Sequence, residues 1–578
     1  MSETAPVQAT LQRAAALMRA GSTEQGIRLL EQVVEAHPND PAVRYHLAEV
    51  LVSAQRIDPA LKHLCIIVNS DPRQLQPKKL LGALYFQLGR FDEALTIFLD
   101  LVSLRPRSAE FVEAVAKCHI AMGRPQQAAA AALSARERGV TSESLELTLS
   151  QAFFSSGRLV EAHSVLKSGD WPRLGAQRAA LLAQVLERQR QYDEAVDAAV
   201  DAINLAPDND VPHRVIARID RSRNNLHAAR SRLESLLAIP LAPEALGHTC
   251  MELGQVLDDR SQTDDAMHRF EQGHAAFSIH NPSLDPEMDS YIARLEQWRI
   301  TAESRVPGRW PKEPPKDDLP CPVFLIGFPR SGTTLFERVL GSVPGVSTTD
   351  EAPMLVETVN EMLRMARTPA QSSIPITELL DSLDEDSIRS LRAAYWRLAG
   401  DLLGARPDAS TLVDKHPLNT PLLPVIRRLF PDARILMVIR DPRDVVLSAY
   451  MQDMVPSRAM LHYRSLDTAA RLYDAMMRLY IVDRDRLGLN LIESRYEDLI
   501  DSPEQVSRRI VEFMGAEWSP SVLHANAESR TRESAVNPYT TSRDLFRSSY
   551  GRWRRYAQHL APVVSRLASH IHIFGYAE

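Results

Sequence analysis

A 34-residue period in the first half of this 578-residue chain restricts its possible folds more than any other feature. Three residue types share the period: Pro38, Pro72 and Pro106; Gly89, Gly123 and Gly157; and Ala60, Ala94, Ala128 and Ala162. The alanine series continues at intervals of 33 and 34 residues with Ala195 and Ala229. Repeats of this length are typical of stacked helix pairs, which bury a continuous core only when several units pack together. The period therefore predicts an α-solenoid.

The repeat from Leu80 to Pro106 shows how each unit is built. Gly89 lies in the turn that closes its first helix, Ala94 lets the second helix approach closely, and Pro106 ends the unit. Residues 8–275 resemble the tetratricopeptide family. The resemblance implies a superhelix whose concave face binds an extended peptide or a partner protein. The alternative is an array that only supports the second half of the chain or mediates oligomerisation.

The chain changes character between about Ser278 and Pro322. Prolines recur every few residues over Pro307–Pro322, and proline both lacks an N–H donor and clashes with the preceding helical turn. We therefore predict a linker over residues 276–320 and a second domain over residues 321–575. The second domain should open with a strand at Val323–Ile326.

Net charge, apolar runs and the spacing of cysteines and histidines restrict the compartment and the partners that we expect. The net charge of −7 gives no sign of a nucleic-acid partner. No apolar run approaches the roughly 20 residues of a membrane span, and the N-terminus has no apolar signal core. The cysteines show no C-x-x-C spacing, and the histidines show no metal-ligand spacing. We expect a cytoplasmic protein without a bound metal, with an oligomer possible.

The segment from Phe324 to Glu351 carries the strongest chemical signal. Its apolar start and the sequence G-F-P-R-S-G-T-T predict a strand, a phosphate-cradling turn and a helix N-terminus, which favours an anion. Gly327 and Gly332 have the spacing of a Walker A loop, but Thr333 stands where that loop has lysine. The cation is Arg330, inside the turn. The loop therefore suits a 5′-phosphate-type anion better than the triphosphate of a kinase.

Four later segments place polar side chains where strands of the predicted sheet end. Lys415 follows a β-like run, Arg440 ends a buried strand, and Tyr496 follows another strand. Ser448 lies eight residues after Arg440 on a predicted helix, and a basic, hydroxyl-rich loop spans Ser542–Trp553. Open parallel sheets bind ligands at the carboxyl ends of their strands. We expect an α/β P-loop-like domain with a second phosphate grip.

These motifs resemble the sulfotransferase superfamily, which uses 3′-phosphoadenosine-5′-phosphosulfate as donor. The closer resemblance is to protein-tyrosine sulfotransferases, in the spacing from Arg330 to Glu351 and in the segment Asp414–Pro417. The resemblance implies that Glu351 is the general base and that Lys415 stabilises charge on the transferring group. It also implies that the donor is bound by Arg330, Ser331, Gly332, Thr333, Thr334, Arg440, Ser448, Tyr496, Ser534 and Arg552.

The residues leave alternatives open. Glu351 and Asp350 could cap a helix that begins near Ala352, and Arg440 could pair with a neighbouring aspartate. Where the family has arginines after the base, this chain has Pro353 and Glu357, which puts recognition of acidic peptides in doubt. The expected acceptor is a protein or peptide tyrosine presented with help of the array. A sugar or small-molecule hydroxyl is the alternative, as is a non-catalytic scaffold with a nucleotide-sensing domain.

Overall fold

The computed structural model describes residues 10–577 except 11–12, 15, 19, 21, 39, 170, 281–284, 307, 314, 367–375, 404–410, 454–458, 521 and 524–548. The chain divides into two compact units, Met1–Pro212 and His213–Glu578. The first unit is built from helix pairs. The second combines further helices with a parallel sheet, so the predicted fold class is confirmed.

The helices of the first unit follow the sequence period. They are α1 (Thr23–Ala36), α2 (Pro41–Ser53), α3 (Ile57–Ser70), α4 (Leu75–Gln87), α5 (Phe91–Leu104), α6 (Ala109–Ala121), α7 (Pro125–Glu137), α8 (Glu143–Ser155), α9 (Leu159–Lys167), α10 (Gly175–Arg188) and α11 (Tyr192–Leu205). Helices α2, α4, α6 and α8 begin 34 residues apart, and so do α3, α5, α7 and α9. The periodic alanines are all fully buried, where larger side chains would separate the helices.

The turn inside each helix pair uses one left-handed residue. Glycine occupies it in three repeats, with φ of +72° at Gly89, +70° at Gly123 and +74° at Gly157. The same position in four other repeats has φ near +60° at Gln55, Arg190, Asn224 and Ser261. The next residue donates its N–H back into the first helix, as Arg90 does to the Tyr85 carbonyl at 2.8 Å, which is the Schellman end of a helix.

Helix α12 (Asp210–Ser222) crosses the boundary between the units, and the repeat pattern continues into the second one. The second unit begins with α13 (Leu226–Leu237), α14 (Pro243–Asp259), α15 (Thr263–His280) and α16 (Asp285–Glu303). Helices α14 and α15 contact the sheet domain directly. His274 Nε2 lies 2.7 Å from the Tyr450 carbonyl oxygen, and Gln255 Nε2 donates to the Met451 carbonyl at 2.5 Å.

The proline-rich segment before the sheet is non-helical in its described residues and is held by buried side chains. Arg427 donates to the carbonyls of Trp310 and Pro311 at 3.1 and 2.8 Å. Arg392 pairs with Asp317 at 2.8 Å. The segment is therefore packed on the domain that follows it. The predicted boundaries of 8–275, 276–320 and 321–575 stay a prediction.

Within the described residues, the sheet has five parallel strands in the order β2-β3-β1-β4-β5. The strands are β1 (Val323–Gly327), β2 (Val346–Thr348), β3 (Thr411–Lys415), β4 (Arg434–Ile439) and β5 (Asn490–Arg495). The helices are α17 (Thr333–Gly341), α18 (Met354–Met365), α19 (Ile376–Asp381), α20 (Glu385–Leu403), α21 (Leu423–Leu429), α22 (Pro442–Tyr450), α23 (Leu466–Arg486), α24 (Tyr496–Asp501), α25 (Pro503–Met514) and α26 (Ala557–Ile573). In the described part of this domain, 3₁₀ helices span Pro417–Leu422, Met460–Arg464 and Arg552–Tyr556.

Both faces of the sheet are covered by helices. Along β1, Val323 and Leu325 belong to one apolar core with α17 and α25, whereas Phe324 and Ile326 belong to the other, with α20, α21 and α23. Alternate side chains of a strand point to opposite faces, so a run of apolar residues is buried on both sides. Because β1 pairs in parallel with both β3 and β4, the loops that follow these three strands lie at the same edge of the sheet, its carboxyl edge.

Candidate functional site

The end of β1 is fixed by a threonine that the sequence analysis did not single out. Thr420 Oγ1 accepts the N–H of Gly327 at 3.1 Å and donates to its carbonyl at 2.7 Å. A β-carbon at position 327 would lie 2.6 Å from Ser331 Oγ and 3.0 Å from the Val438 carbonyl oxygen. Glycine is therefore required here, because the loop folds back tightly over its own strand.

The loop that follows, from Arg330 to Thr334, has a geometry that suits an anion and is named the anion loop. Arg330 adopts a positive φ of +73°, and Gly332 has φ of +100° directly before α17. The N–H groups of Thr333 and Thr334 belong to the first turn of that helix, where they and the helix dipole favour negative charge. The Ser331 hydroxyl is buried and has no hydrogen-bond partner among the described residues.

The Tyr496 ring packs against this loop at Gly332. A β-carbon at position 332 would lie 2.3 Å from its ring, so that only glycine fits. The ring also lies under the Arg440 guanidinium, 4.9 Å from the ring centroid. The structure thus places Tyr496 between the loop and the arginine of the second predicted grip.

Arginines gather where the predicted phosphate grips meet. Arg440 Nη1 donates to the Arg330 carbonyl at 3.1 Å, and Arg330 Nε donates to Ser448 Oγ at 3.2 Å. The Nε atoms of Arg440 and Arg552 are buried without a hydrogen-bond partner in the described part of the chain. Burial, with the nearby charge of Arg440 and a smaller effect of Arg552, lowers the pKa of Arg330 to about 10. Mutual repulsion of this kind is relieved by a bound anion.

Asp444 ties the C-terminal segment to this cluster. Its carboxylate accepts the N–H groups of Gly551 and Trp553 at 2.7 and 2.8 Å. Its contact with Arg440 Nη2 is longer, at 3.7 Å, and Arg440 also donates to the Ser549 carbonyl. The alternative that Arg440 pairs with a neighbouring aspartate is therefore met, although the same Asp444 carboxylate also holds two backbone N–H groups. The predicted donor-binding residue Ser534 lies outside the described residues.

The position of Arg552 depends on a residue from the repeat helices. Arg552 Nη1 lies 3.5 Å from Asp258 Oδ2, close to the end of α14. Asp258 Oδ1 also accepts from the Tyr556 hydroxyl at 2.7 Å and from Arg555 at 3.0 Å. Burial and Asp258 raise the pKa of Tyr556 above its usual range. One buried carboxylate therefore organises the 3₁₀ turn that carries Arg552.

The two predicted catalytic residues are in contact. Lys415, at the end of β3, donates from Nζ to Glu351 Oε1 at 2.6 Å. Burial acts to lower the pKa of the ammonium, but the carboxylates of Glu351 and Glu337 outweigh it and raise the pKa. Glu351 also counts among the charges that act on Arg330. The pair therefore lies within electrostatic reach of the anion loop.

The backbone that carries Glu351 is strained. Asp350 and Glu351 have φ of +45° and +65°, a conformation that costs a non-glycine residue on the order of 1–3 kcal/mol. The Glu351 N–H donates to the Lys415 carbonyl at 3.0 Å, which holds the turn against β3. Helix α18 begins at Met354 with Pro353 as its N-cap, so the alternative that these acids cap a helix is wrong.

The described residues also bear on metal binding and on membrane spanning. Among the residues that the structure describes, no group of three or more His, Cys, Asp or Glu side chains is placed to share a metal ion. Within the same residues, no helix is both long and apolar enough to span a membrane.

Comparison with known proteins finds a family match in each half of the chain. Residues 322–520 match the sulfotransferase family, and residues 17–84 and 80–142 match tetratricopeptide repeats. The predicted combination of a repeat array with a sulfotransferase domain is thereby confirmed.

Relatives match only part of their own length. An uncharacterized protein of Aquifex aeolicus is 28% identical over 250 residues, 43% of this chain and 32% of that protein. A putative protein-tyrosine sulfotransferase of Caenorhabditis briggsae is 26% identical over 204 residues, 35% of this chain and 68% of that protein. Protein-tyrosine sulfotransferase 2 of Gallus gallus is 26% identical over 231 residues, 40% of this chain and 58% of that protein. The chain thus spans between 32% and 68% of these relatives.

The chain is also similar to solved structures, among them those of PilF and YrrB. Pseudomonas aeruginosa PilF covers 35% of this chain and 91% of its own, with 19% identity and a TM-score of 0.28. The tetratricopeptide protein YrrB covers 32% of this chain and 95% of its own, with 16% identity and a TM-score of 0.27.

Proposed function

We propose that the second half of the chain transfers the sulfuryl group of 3′-phosphoadenosine-5′-phosphosulfate to an acceptor hydroxyl. The observation that carries the proposal is that Ser331 Oγ and Arg440 Nε, beside Arg330, are buried donors with no hydrogen-bond partner among the residues that the structure describes. A buried donor without a partner is costly, and an anion satisfies it. The match to the sulfotransferase family supports sulfuryl rather than phosphoryl transfer.

The donor would be held at both of its phosphorylated ends. The loop from Arg330 to Thr334 would hold the 5′-phosphosulfate through N–H groups and hydroxyls. Arg440 and Ser448 would hold the 3′-phosphate, with Arg552 close by. Ser448 already accepts a hydrogen bond from Arg330, so the two grips share one hydrogen-bonded group.

The chemistry would use Glu351 and Lys415. The acceptor oxygen attacks sulfur as its proton passes to Glu351, and the bond from sulfur to the 5′-phosphate oxygen breaks with its electron pair on that oxygen. Lys415, fully buried, would stabilise the charge that develops there. The contact of 2.6 Å between Lys415 Nζ and Glu351 Oε1 keeps the base and the ammonium side by side.

Nucleotide binding is the first test. Calorimetric titration should show that 3′-phosphoadenosine-5′-phosphate binds more tightly than 5′-AMP or ATP, because only the former engages both grips. Arg440→Gln should reduce this preference, whereas Arg508→Gln, at an exposed ion pair on α25, should leave it unchanged. Equal affinity for 5′-AMP and the 3′-phosphorylated nucleotide would refute the two-grip site.

For the acceptor we propose a tyrosine in a protein or peptide, presented with help of the repeat array. The proposal rests on the similarity to protein-tyrosine sulfotransferases. Asp350 and Glu357 stand near Glu351 in the chain, and negative charge there disfavours acidic flanks on the peptide. The test is mass spectrometry of tyrosine peptides with acidic, neutral or basic flanks, of sugars and of small phenols after incubation with labelled donor. Transfer only to a sugar or a phenol would refute the peptide acceptor but not the sulfotransferase.

A further inference from the structure

Glu337 is a buried acid that the proposed reaction does not yet use. It is the fifth residue of α17, the helix that begins at the anion loop. Only 6% of the residue is exposed. Its Oε2 atom lies 3.2 Å from Lys415 Nζ, and its Oε1 atom accepts the N–H of Asp350 at 3.1 Å. One carboxylate thus touches both the ammonium and the strained turn that carries Glu351.

The charges around Lys415 explain why a second acid matters. Glu351 and Glu337 both contact the ammonium. Further titratable groups interact with one or more of these three side chains, namely Asp350, His416, Arg330 and Tyr463. Lys415 is fully buried, so its charge needs a counter-charge at every stage of a reaction. If Glu351 were its only partner, releasing Glu351 to take a proton would leave a buried ammonium unpaired.

We propose that Glu337 is a positioning residue that keeps Lys415 charged and in place while Glu351 accepts the proton of the acceptor. The proposal rests on the proposed function. Through its bond to the Asp350 N–H, Glu337 also holds the positive-φ turn, so that the base and the ammonium are set by the same helix that begins at the anion loop. Two carboxylates around one ammonium let either of them separate without leaving the other charge uncompensated.

The directions of the pKa shifts of Glu337 and Lys415 agree with this arrangement. Burial raises the pKa of Glu337, while Lys415 lowers it and Asp350 raises it further. The carboxylates of Glu351 and Glu337 in turn raise the pKa of Lys415 against the effect of burial. Removing the Glu337 charge should therefore lower the pKa of Lys415. Because the protonated ammonium is the active form, activity would then be lost at a lower pH than in the wild type.

The experiment compares Glu337→Gln with the wild type in the full chain. We expect kcat to fall at least tenfold, with the affinity for 3′-phosphoadenosine-5′-phosphate changed less than threefold. The alkaline limb of log kcat against pH should move to lower pH, because the Lys415 pKa falls when the Glu337 charge is removed. Glu504→Gln is the matched control, because it makes the same change at an exposed ion pair on α25. Glu337→Asp keeps the charge and should retain the wild-type alkaline limb, and it replaces the glutamine variant if that variant does not fold.

The outcomes separate the two proposals. The role of Glu337 would be overturned if the wild type transfers sulfate and Glu337→Gln shows an unchanged kcat and an unchanged alkaline limb. A wild type that binds the nucleotide without transfer would overturn the proposed function. In that case the pH dependence of nucleotide affinity still tests the ion pair, because loss of the Lys415 charge weakens binding of the 5′-phosphate. An unchanged alkaline limb of affinity in Glu337→Gln would then refute the inference.

Discussion

Replacing Glu351 by glutamine should abolish transfer while the fold and the donor site survive. The amide oxygen of glutamine can accept the hydrogen bond that Lys415 Nζ now donates to Glu351 at 2.6 Å. The ammonium also keeps Glu337 at 3.2 Å, so it is not left as a buried charge without a partner. We therefore expect the melting temperature to change by only a few degrees, on the order of 1 kcal/mol.

The expected loss of rate follows from the missing base. An amide does not accept a proton from an acceptor hydroxyl, and a positioned general base is worth about 10²–10⁴-fold. That range corresponds to about 2.7–5.5 kcal/mol of transition-state stabilisation. Nucleotide affinity should hold or rise slightly, because the nearby negative charge of Glu351 now offsets part of the positive charge of Arg330.

The assay pairs single-turnover transfer, with an acceptor that the wild type uses, and calorimetric titration of 3′-phosphoadenosine-5′-phosphate. Glu361→Gln is the control, because Glu361 lies on the adjacent helix α18 and pairs with Arg364 rather than with Lys415. A variant that turns over at nearly the wild-type rate would refute the assignment of the base and make Asp350 the next candidate. A large loss of nucleotide affinity would show that Glu351 supports the donor instead.

Three further predictions concern the loop from Arg330 to Thr334, a turn in the repeats and the residue at which a shortened chain begins. Gly332→Ala should abolish nucleotide binding in titration, because its β-carbon would lie 2.3 Å from the Tyr496 ring. The control is Gly488→Ala, at φ of +63° with open space around it, which should cost only about 1 kcal/mol of stability. Gln55→Gly should raise the free energy of unfolding in urea by about 0.5–1 kcal/mol, because it relieves a left-handed non-glycine residue; no gain would show that the turn is not strained. A chain that begins at His213 should bind nucleotide, whereas one that begins at Pro320 should lose solubility or affinity because it lacks Asp258 and His274; equal affinity of the two would contradict this.

The sequence by itself determined the helix pairs and the anion loop. Helices α2, α4, α6 and α8 begin 34 residues apart because each pair packs through residues close together in the chain. The loop from Gly327 to Thr334 is likewise one continuous segment, whose strand, turn and helix signals are local. The resemblance to protein-tyrosine sulfotransferases, through the spacing from Arg330 to Glu351, also pointed to an acid that the structure brings into contact with Lys415.

Only the tertiary structure decided which distant groups meet. The strand order β2-β3-β1-β4-β5 differs from the order in the sequence, so chain position does not tell which loops share the sheet edge. It is this order that sets Thr420 against Gly327 and Glu337 against Lys415. The role of Asp258 under Arg552 depends on a repeat helix packing on the C-terminal segment. No local pattern predicts such contacts, because burial and charge pairing between segments far apart in the chain arise only when the whole core has formed.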